Sequence, residues 1–325
     1  MKEYERARRV GLTAIAFSLV LRLFLLDVPE KLVKFLTQPN MASLPTDSET
    51  GRDVRFSPSL GTFLPDFVES PPAAMKEPVL PAFSGAEEVE LYYAADKNPD
   101  IPGLLAKPLE WSLYGEAPTV LILHTHSTES YTKKGEVYKE TSAWRTLDEN
   151  YNMLSMGAAL AQLLEEAGIP TVQDRELHDY PSYNGSYTDA RKSIRELLEA
   201  HPTISLVLDL HRDASGEGAA QMRTRAKVGE ESSAQLMVVL GTNHKGYEEN
   251  LSLGLKLHTL LEGSHPGLMR PLQLRAQRFN QDLSPGALLI EVGAAGNSHS
   301  EALTAVKALA EGIIALARGS EVQQE

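Results

Sequence analysis

At 325 residues with 42% hydrophobic side chains, the chain is long enough to bury a substantial core and leave segments outside it. A formal net charge of −13 argues against nucleic acid as the main partner. There is no cysteine, which excludes disulfide frameworks, thiol catalysis, iron–sulfur clusters and cysteine-based zinc sites; any transition metal must be held by His, Asp or Glu.

The first segment carries Lys2, Arg6, Arg8 and Arg9, and the apolar run GLTAIAFSLVLRLFLLDV follows over 11–28. A basic flank before such a run marks a signal peptide or a signal anchor. No small-x-small cleavage site follows, so an uncleaved transmembrane anchor over 11–28 is expected, with a cleaved signal or an interfacial helix as alternatives. Arg22 interrupts the run, but a long basic side chain near one end reaches the interface. The positive-inside bias makes 1–10 a cytoplasmic tail and places everything after the anchor outside the cell membrane. Proline, serine and acidic residues dominate 29–85 without a lasting apolar period, which reads as an extended linker. No internal repeat is seen.

The folded region is expected over 86–325. EEVELYYA begins it as an edge strand, and APTVLILHTH reads as a buried strand. NYNMLSMGAALAQLLEEAG is an amphipathic helix with apolar positions at Met153, Leu154, Met156, Leu160, Leu163 and Leu164, stopped by Gly168. A short strand IPTVQD, a helix SYTDARKSIRELLEAHP and a strongly apolar strand TISLVLDLHRDA follow. AQLMVVLGTN is another strand, NLSLGLKLHTLLEGSHP a helix, GALLIEVGAAGNS the last strand and SEALTAVKALAEGIIALARG the closing helix. This alternation predicts an α/β fold with a mainly parallel sheet sandwiched by helices. Ligands of such sheets sit beyond the carboxyl ends of the strands.

Those ends carry titratable groups. The first long strand finishes in His124 and His126, the next in Asp209 and His211, and the last in Glu291. Strand alternation puts His124 and His126 on one face, and Asp209 and His211 likewise. Histidine and carboxylate donors with an open position are what a catalytic zinc requires, and a further glutamate can serve as general base. His178, His201, His244, His258, His265 and His299 lie in loops or helices, where solvated surface or helix capping is the default. Tyr180, Tyr183, Asn184, Gly185 and Tyr187 read as a tight turn before a helix, or as a loop that contacts a glycan or peptide through stacking and hydrogen bonds. Arg212, beside His211, is a candidate for holding a substrate oxygen or for pairing with a neighbouring acid.

The ordered segments HTHSTESY, LDENYNMLSMGAAL, LHDYPSYNGSYTDA, LVLDLHRDA and LIEVGAAGNS resemble the motifs of the stage II sporulation protein P family over roughly 89–318. The resemblance implies a membrane-anchored cell-wall hydrolase of endospore formers, related to the zinc-dependent N-acetylmuramoyl-L-alanine amidases and sharing their zinc amidase-like α/β sandwich. It implies Zn2+ as cofactor, peptidoglycan as substrate, and an endopeptidase activity on stem cross-links. It also implies a role in septal thinning and engulfment, with stage II sporulation proteins D and M as partners. By this resemblance His211 matches a metal ligand and Glu291 the catalytic glutamate. The first ligand comes from His124 or His126, with His124 preferred, and the acidic ligand from Glu129 or Asp148. Asp148 otherwise serves to cap the helix that follows, and Glu129 to orient a histidine. Tyr183, Asn184 and Arg212 are candidates for substrate contact. A non-catalytic wall-binding or scaffold module of the engulfment machinery, and an unrelated metallo-hydrolase, are the competing readings. A degenerate scaffold would be expected to lack one of the strand-end residues, and none is missing.

Overall fold

The computed structural model describes residues 91–93, 97–109, 111–132, 144–214 and 221–322. The expected tail, the anchor over 11–28 and the linker over 29–85 lie outside the described residues. Among the described residues no helix is long and apolar enough to cross a membrane.

The elements are β1 (Leu91–Tyr93), α1 (Ile101–Ala106), β2 (Val120–Leu123), α2 (Met153–Glu166), β3 (Thr171–Gln173), α3 (Ser186–Ala200) and β4 (Leu206–Asp213). They continue with β5 (Ala226–Val228), β6 (Glu231–Ser233), β7 (Leu236–Gly241), α4 (Tyr247–Ser264), β8 (Leu272–Arg275), β9 (Ala287–Ala294) and α5 (His299–Val322). Seven strands form one sheet in the order β1-β8-β7-β9-β4-β2-β3. Every neighbouring pair is parallel except β7 and β9, which run antiparallel. The carboxyl ends of β2, β4 and β9 therefore open on the same edge, where ligands of parallel sheets sit.

Side-chain phase along the strands assigns the two faces. Val120, Ile122, Leu208, Leu210, Val238, Leu240, Leu288 and Ile290 belong to the large core that α2, α4 and α5 cover. Leu121, Leu123, Val207 and Ala287 pack instead with Ala190 and Ile194 of α3. Apolar groups on both faces are what a sheet covered by helices on two sides requires.

Helix limits follow local chemistry. Asn152 caps α2 by accepting from the Leu154 amide at 3.0 Å, and Gly168 with φ +81° follows its end. In α4, Ser252 Oγ and Lys256 Nζ both donate to the Leu104 carbonyl of α1, at 2.6 and 2.8 Å. That satisfies a carbonyl in the last turn of a short helix and fastens α1 to the core. Burial, with Lys107 nearby, pushes Lys256 down to about 8.

Candidate active site

Strand β2 ends at Leu123 and the chain then turns, so alternation stops at the two histidines. His124 keeps the phase of Ile122 and lies on the α2 side. Its Nδ1 faces the Leu210 carbonyl at 3.3 Å, and its Nε2 lies 3.0 Å from Gln173 Nε2. A donating Nδ1–H and an accepting Nε2 form a neutral imidazole with both nitrogens satisfied. Burial accordingly holds its pKa down at about 4. Gly157 of α2 makes room for this ring, since a Cβ there would press on His124 Nε2 and Gln173 Nε2. The expectation that His124 and His126 share a face is thus corrected: the strand ends at Leu123, before either histidine, and the chain turns between them.

His126 turns the other way, toward α3 and β4. Its ring is 5.2 Å from that of His211, nearly perpendicular, and stacks at 4.5 Å on Tyr183. Its Nε2 lies 3.1 Å from the Tyr183 hydroxyl, and its Nδ1 is buried without a hydrogen bond. Burial lowers its pKa, with Glu129 opposing and His211 assisting.

Asp209 and His211 share a face on β4. Thr125 fixes Asp209 through its amide at 2.8 Å and its hydroxyl at 2.6 Å. His211 Nε2 lies 3.0 Å from Asp209 Oδ1, yet the ring N–H is not aligned with that oxygen, so the contact is an ion pair and the nitrogen has no directed hydrogen bond. Its Nδ1 is 3.8 Å from Glu129 Oε2. Burial opposes protonation of His211, but Asp209, Glu129 and Glu291 outweigh it and lift the pKa to about 9.

Glu129 is buried and closely held. Arg212 donates to it from its amide and from Nη1, each at 3.2 Å, and Arg145 adds a contact at 3.3 Å. Burial alone would raise its pKa; Arg212, His211, His126 and Arg145 pull it below the ordinary carboxylate range. Glu291 is the register partner of His211 across β4 and β9. Its Oε2 is buried with no hydrogen bond, and burial, reinforced by Glu129 and Asp213, pushes its pKa up to about 8 against His211 and Arg212.

The other predicted residues are placed apart. Asp148 closes the turn before α2, accepting from the Asn150 amide at 3.1 Å and side chain at 2.9 Å. The cap it was expected to provide belongs to Asn152. Arg212 is a buried support that also donates to the carbonyls of Ser130 and Trp144, rather than an open substrate clamp. Tyr183 is 55% exposed over His126, and Asn184 is exposed beside it. The surface expectation fails for His178 and His258, which are buried; His178 Nε2 lies 2.9 Å from Asp174 Oδ2.

Arg145 was missed in the sequence. It pairs with Asp179 and Glu129, and its guanidinium lies over the Tyr183 ring at 4.8 Å. No local pattern announces an arginine whose partners sit on two distant segments.

Among the described residues no three His, Asp or Glu side chains already form a closed ligand set. Chemistry and location nevertheless suit a divalent cation. Two imidazoles and two carboxylates meet at one sheet edge, and His126 Nδ1, His211 Nε2 and Glu291 Oε2 are buried polar atoms without hydrogen bonds.

The family model for stage II sporulation protein P matches residues 76–314. The chain belongs to that family. Stage II sporulation protein P of Bacillus subtilis (strain 168) is 30% identical over 210 residues, a match of 61% of this chain and 50% of that protein. The chain therefore spans about half the length of this curated relative. Among solved structures, N-acetylmuramoyl-L-alanine amidase AmiC2 of Nostoc punctiforme is similar at 13% identity and TM-score 0.40, covering 65% of this chain and 100% of that one. The N-acetylmuramoyl-L-alanine amidase from Clostridium difficile 630 is similar at 17% identity and TM-score 0.39, with the same coverages of 65% and 100%.

Proposed function

We propose that this family member is a zinc-dependent peptidoglycan hydrolase that cleaves the amide between N-acetylmuramic acid and the L-alanine of the stem peptide. The observation that carries the reading is the meeting of His126, His211, Glu129 and Glu291 at one sheet edge, with three of their polar atoms buried and without hydrogen bonds. In this reading His126, His211 and Glu129 hold the metal. His124 supports the strand end from the α2 side, and Asp148 shapes the turn. When bound, a divalent cation would polarise the scissile carbonyl, acidify water and offset the negative charge around Glu291.

The protein's own groups then divide the work. Glu291 accepts a proton from the attacking water as the new carbon–oxygen bond forms. It returns that proton to the nitrogen as the carbon–nitrogen bond breaks, leaving a lactyl carboxylate and a free L-alanine amine. Asp209 and the arginines on Glu129 hold the histidine and carboxylate in place before substrate arrives. Tyr183 and Asn184, exposed beside His126, offer a stacking face and an amide to the glycan or peptide. Family membership further suggests anchoring in the cell membrane with the catalytic domain outside, and cleavage of stem cross-links as a second activity. It suggests action in septal thinning and engulfment alongside stage II sporulation proteins D and M.

Glu291→Gln tests the division of labour. The variant is expected to fold and retain metal while turnover on peptidoglycan falls by at least ~10²-fold, the low end for loss of a general base. Loss of metal from this variant would make Glu291 a ligand, and near-normal turnover with metal bound would defeat the proton-transfer step.

A further inference from the structure

Tyr187, the second residue of α3, packs against His126 and His211 and has no role in the scheme above. Its ring lies 6.3 Å from that of His211 and within 15° of parallel, and it meets the edge of His126 at 5.7 Å. On a third side Phe279 packs at 5.9 Å. Three aromatic contacts leave the ring little freedom to slide or tilt.

The turn ahead of β9 fixes the backbone beneath it. Asn280 Nδ2 donates to the Tyr187 carbonyl at 2.8 Å. Arg191, one turn further along α3, grips Asp282 with bonds of 2.8 and 2.6 Å and reaches Asn280 Oδ1 at 3.3 Å. Phe279 and Asn280 both have positive φ, +51° and +58°. Two consecutive residues in the left-handed region are strained and persist where surrounding contacts enforce them. Here the enforced conformation delivers one contact to the face of Tyr187 and one to its carbonyl.

The hydroxyl, by contrast, has no hydrogen-bond partner among the described residues. Tyr187 itself is half-buried. An aromatic ring held on three sides with its donor unspent is arranged for a bond made elsewhere.

We propose that Tyr187 is a further catalytic residue of this site, its phenol donating a hydrogen bond to the amide oxygen as water adds to the scissile carbonyl. The phenol proton stays on the tyrosine throughout; the bond strengthens as that oxygen gains negative charge, so it acts on the transition state more than on the bound amide. Phe279 and Asn280 are positioning residues that act through Tyr187. The inference rests on the hydrolase reading.

Tyr187→Phe keeps the ring and its packing and removes the donor, and it is tested in the purified full chain loaded with zinc. On a soluble muramoyl-peptide, kcat is expected to fall by ~10²-fold, the usual loss for one such donor, with KM changed by less than about threefold. Metal content is expected to match the wild type. Affinity for a phosphinate pseudopeptide, whose tetrahedral anionic oxygens mimic the charged intermediate, is expected to fall at least ~10-fold by calorimetry. Asn280→Gly, which tolerates the positive φ but drops the bond to Tyr187, is expected to lower kcat by a smaller factor at equal metal content. A Tyr187→Phe protein with wild-type kcat and phosphinate affinity overturns the proposal and leaves the hydrolase reading standing. Loss of zinc from that variant also overturns it, since Tyr187 would then serve the metal site as packing. A wild type that neither hydrolyses the muramoyl-peptide nor binds the phosphinate overturns the hydrolase reading and this proposal with it.

Discussion

His124 and His126 differ in how their nitrogens are used, and metal binding should separate them. Both nitrogens of His124 are engaged, by Leu210 and Gln173, whereas His126 keeps a buried nitrogen free of hydrogen bonds. By equilibrium dialysis of the full chain, His126→Ala is expected to weaken zinc by at least ~10²-fold. His124→Asn, whose amide retains part of the bonding, is expected to change affinity by less than ~10-fold while lowering Tm, because it opens the space under Gly157. Reversed behaviour would return the ligand role to His124. Strand phase alone does not separate them, because alternation carries both histidines in one phase. His124 continues the Val120–Ile122 phase, while His211 and Glu291 continue Val207 and Leu289 on the other face. What brings His126 to His211 is the turn after Leu123, which no periodicity marks. Arg145 gave less signal still, since its partners come from segments far apart in the chain, and Tyr187 was legible only as one aromatic of a possible substrate loop.

Among the elements, those long and periodic enough to bury a face were legible: β2, β4, β7, β9 and helices α2 to α5. Of the short ones, β1 and β3 were anticipated within EEVELYYA and IPTVQD, and the other four were not. α1, β5, β6 and β8 have three to six residues each, too few for a period to declare itself. Periodicity also carries no strand direction, which is why the antiparallel β7–β9 pair went unforeseen. One of the missed elements is held by a carboxylate. Glu301, in the first turn of α5, accepts from Arg223 Nε at 3.1 Å, from Asn297 at 3.1 Å and from Ser232 of β6 at 3.1 Å. Burial would raise its pKa; the bonds from Arg223, Ser298, Asn297 and Ser232 prevail and hold it at about 2. A depressed carboxylate adds stability that is present above its unfolded value of ~4.3 and lost as pH falls toward the folded value. Glu301→Gln is therefore expected to cost ~1–3 kcal/mol at pH 7, and the gap to wild type should close as pH falls from about 4 to 2. A gap that stays constant across that range in urea titrations would show that the charge of Glu301 is not what holds the β5–β6 hairpin to α5.

At the scale of the whole molecule, the described sheet is completed from segments that precede the long strands. Leu104 and Leu105 of α1 are buried in the main core, and Lys256 and Ser252 of α4 both bind the Leu104 carbonyl. Removing 1–36 is expected to leave the Tm of the domain unchanged. Removing 1–109 takes two core leucines and the carbonyl to which Lys256 donates, and is expected to lower stability by at least ~3 kcal/mol; equal melting of the two truncations would place α1 outside the cooperative unit. The central claim concerns a bond, and it is tested most directly by digesting purified sacculi with the zinc-loaded full chain in H2(18)O and analysing the products by mass spectrometry. Stem peptides with a free L-alanine amine are expected, with glycan strands whose lactyl carboxylate carries one (18)O. Label at stem cross-links with the muramoyl amide intact, or sacculi left unlabelled, would contradict it.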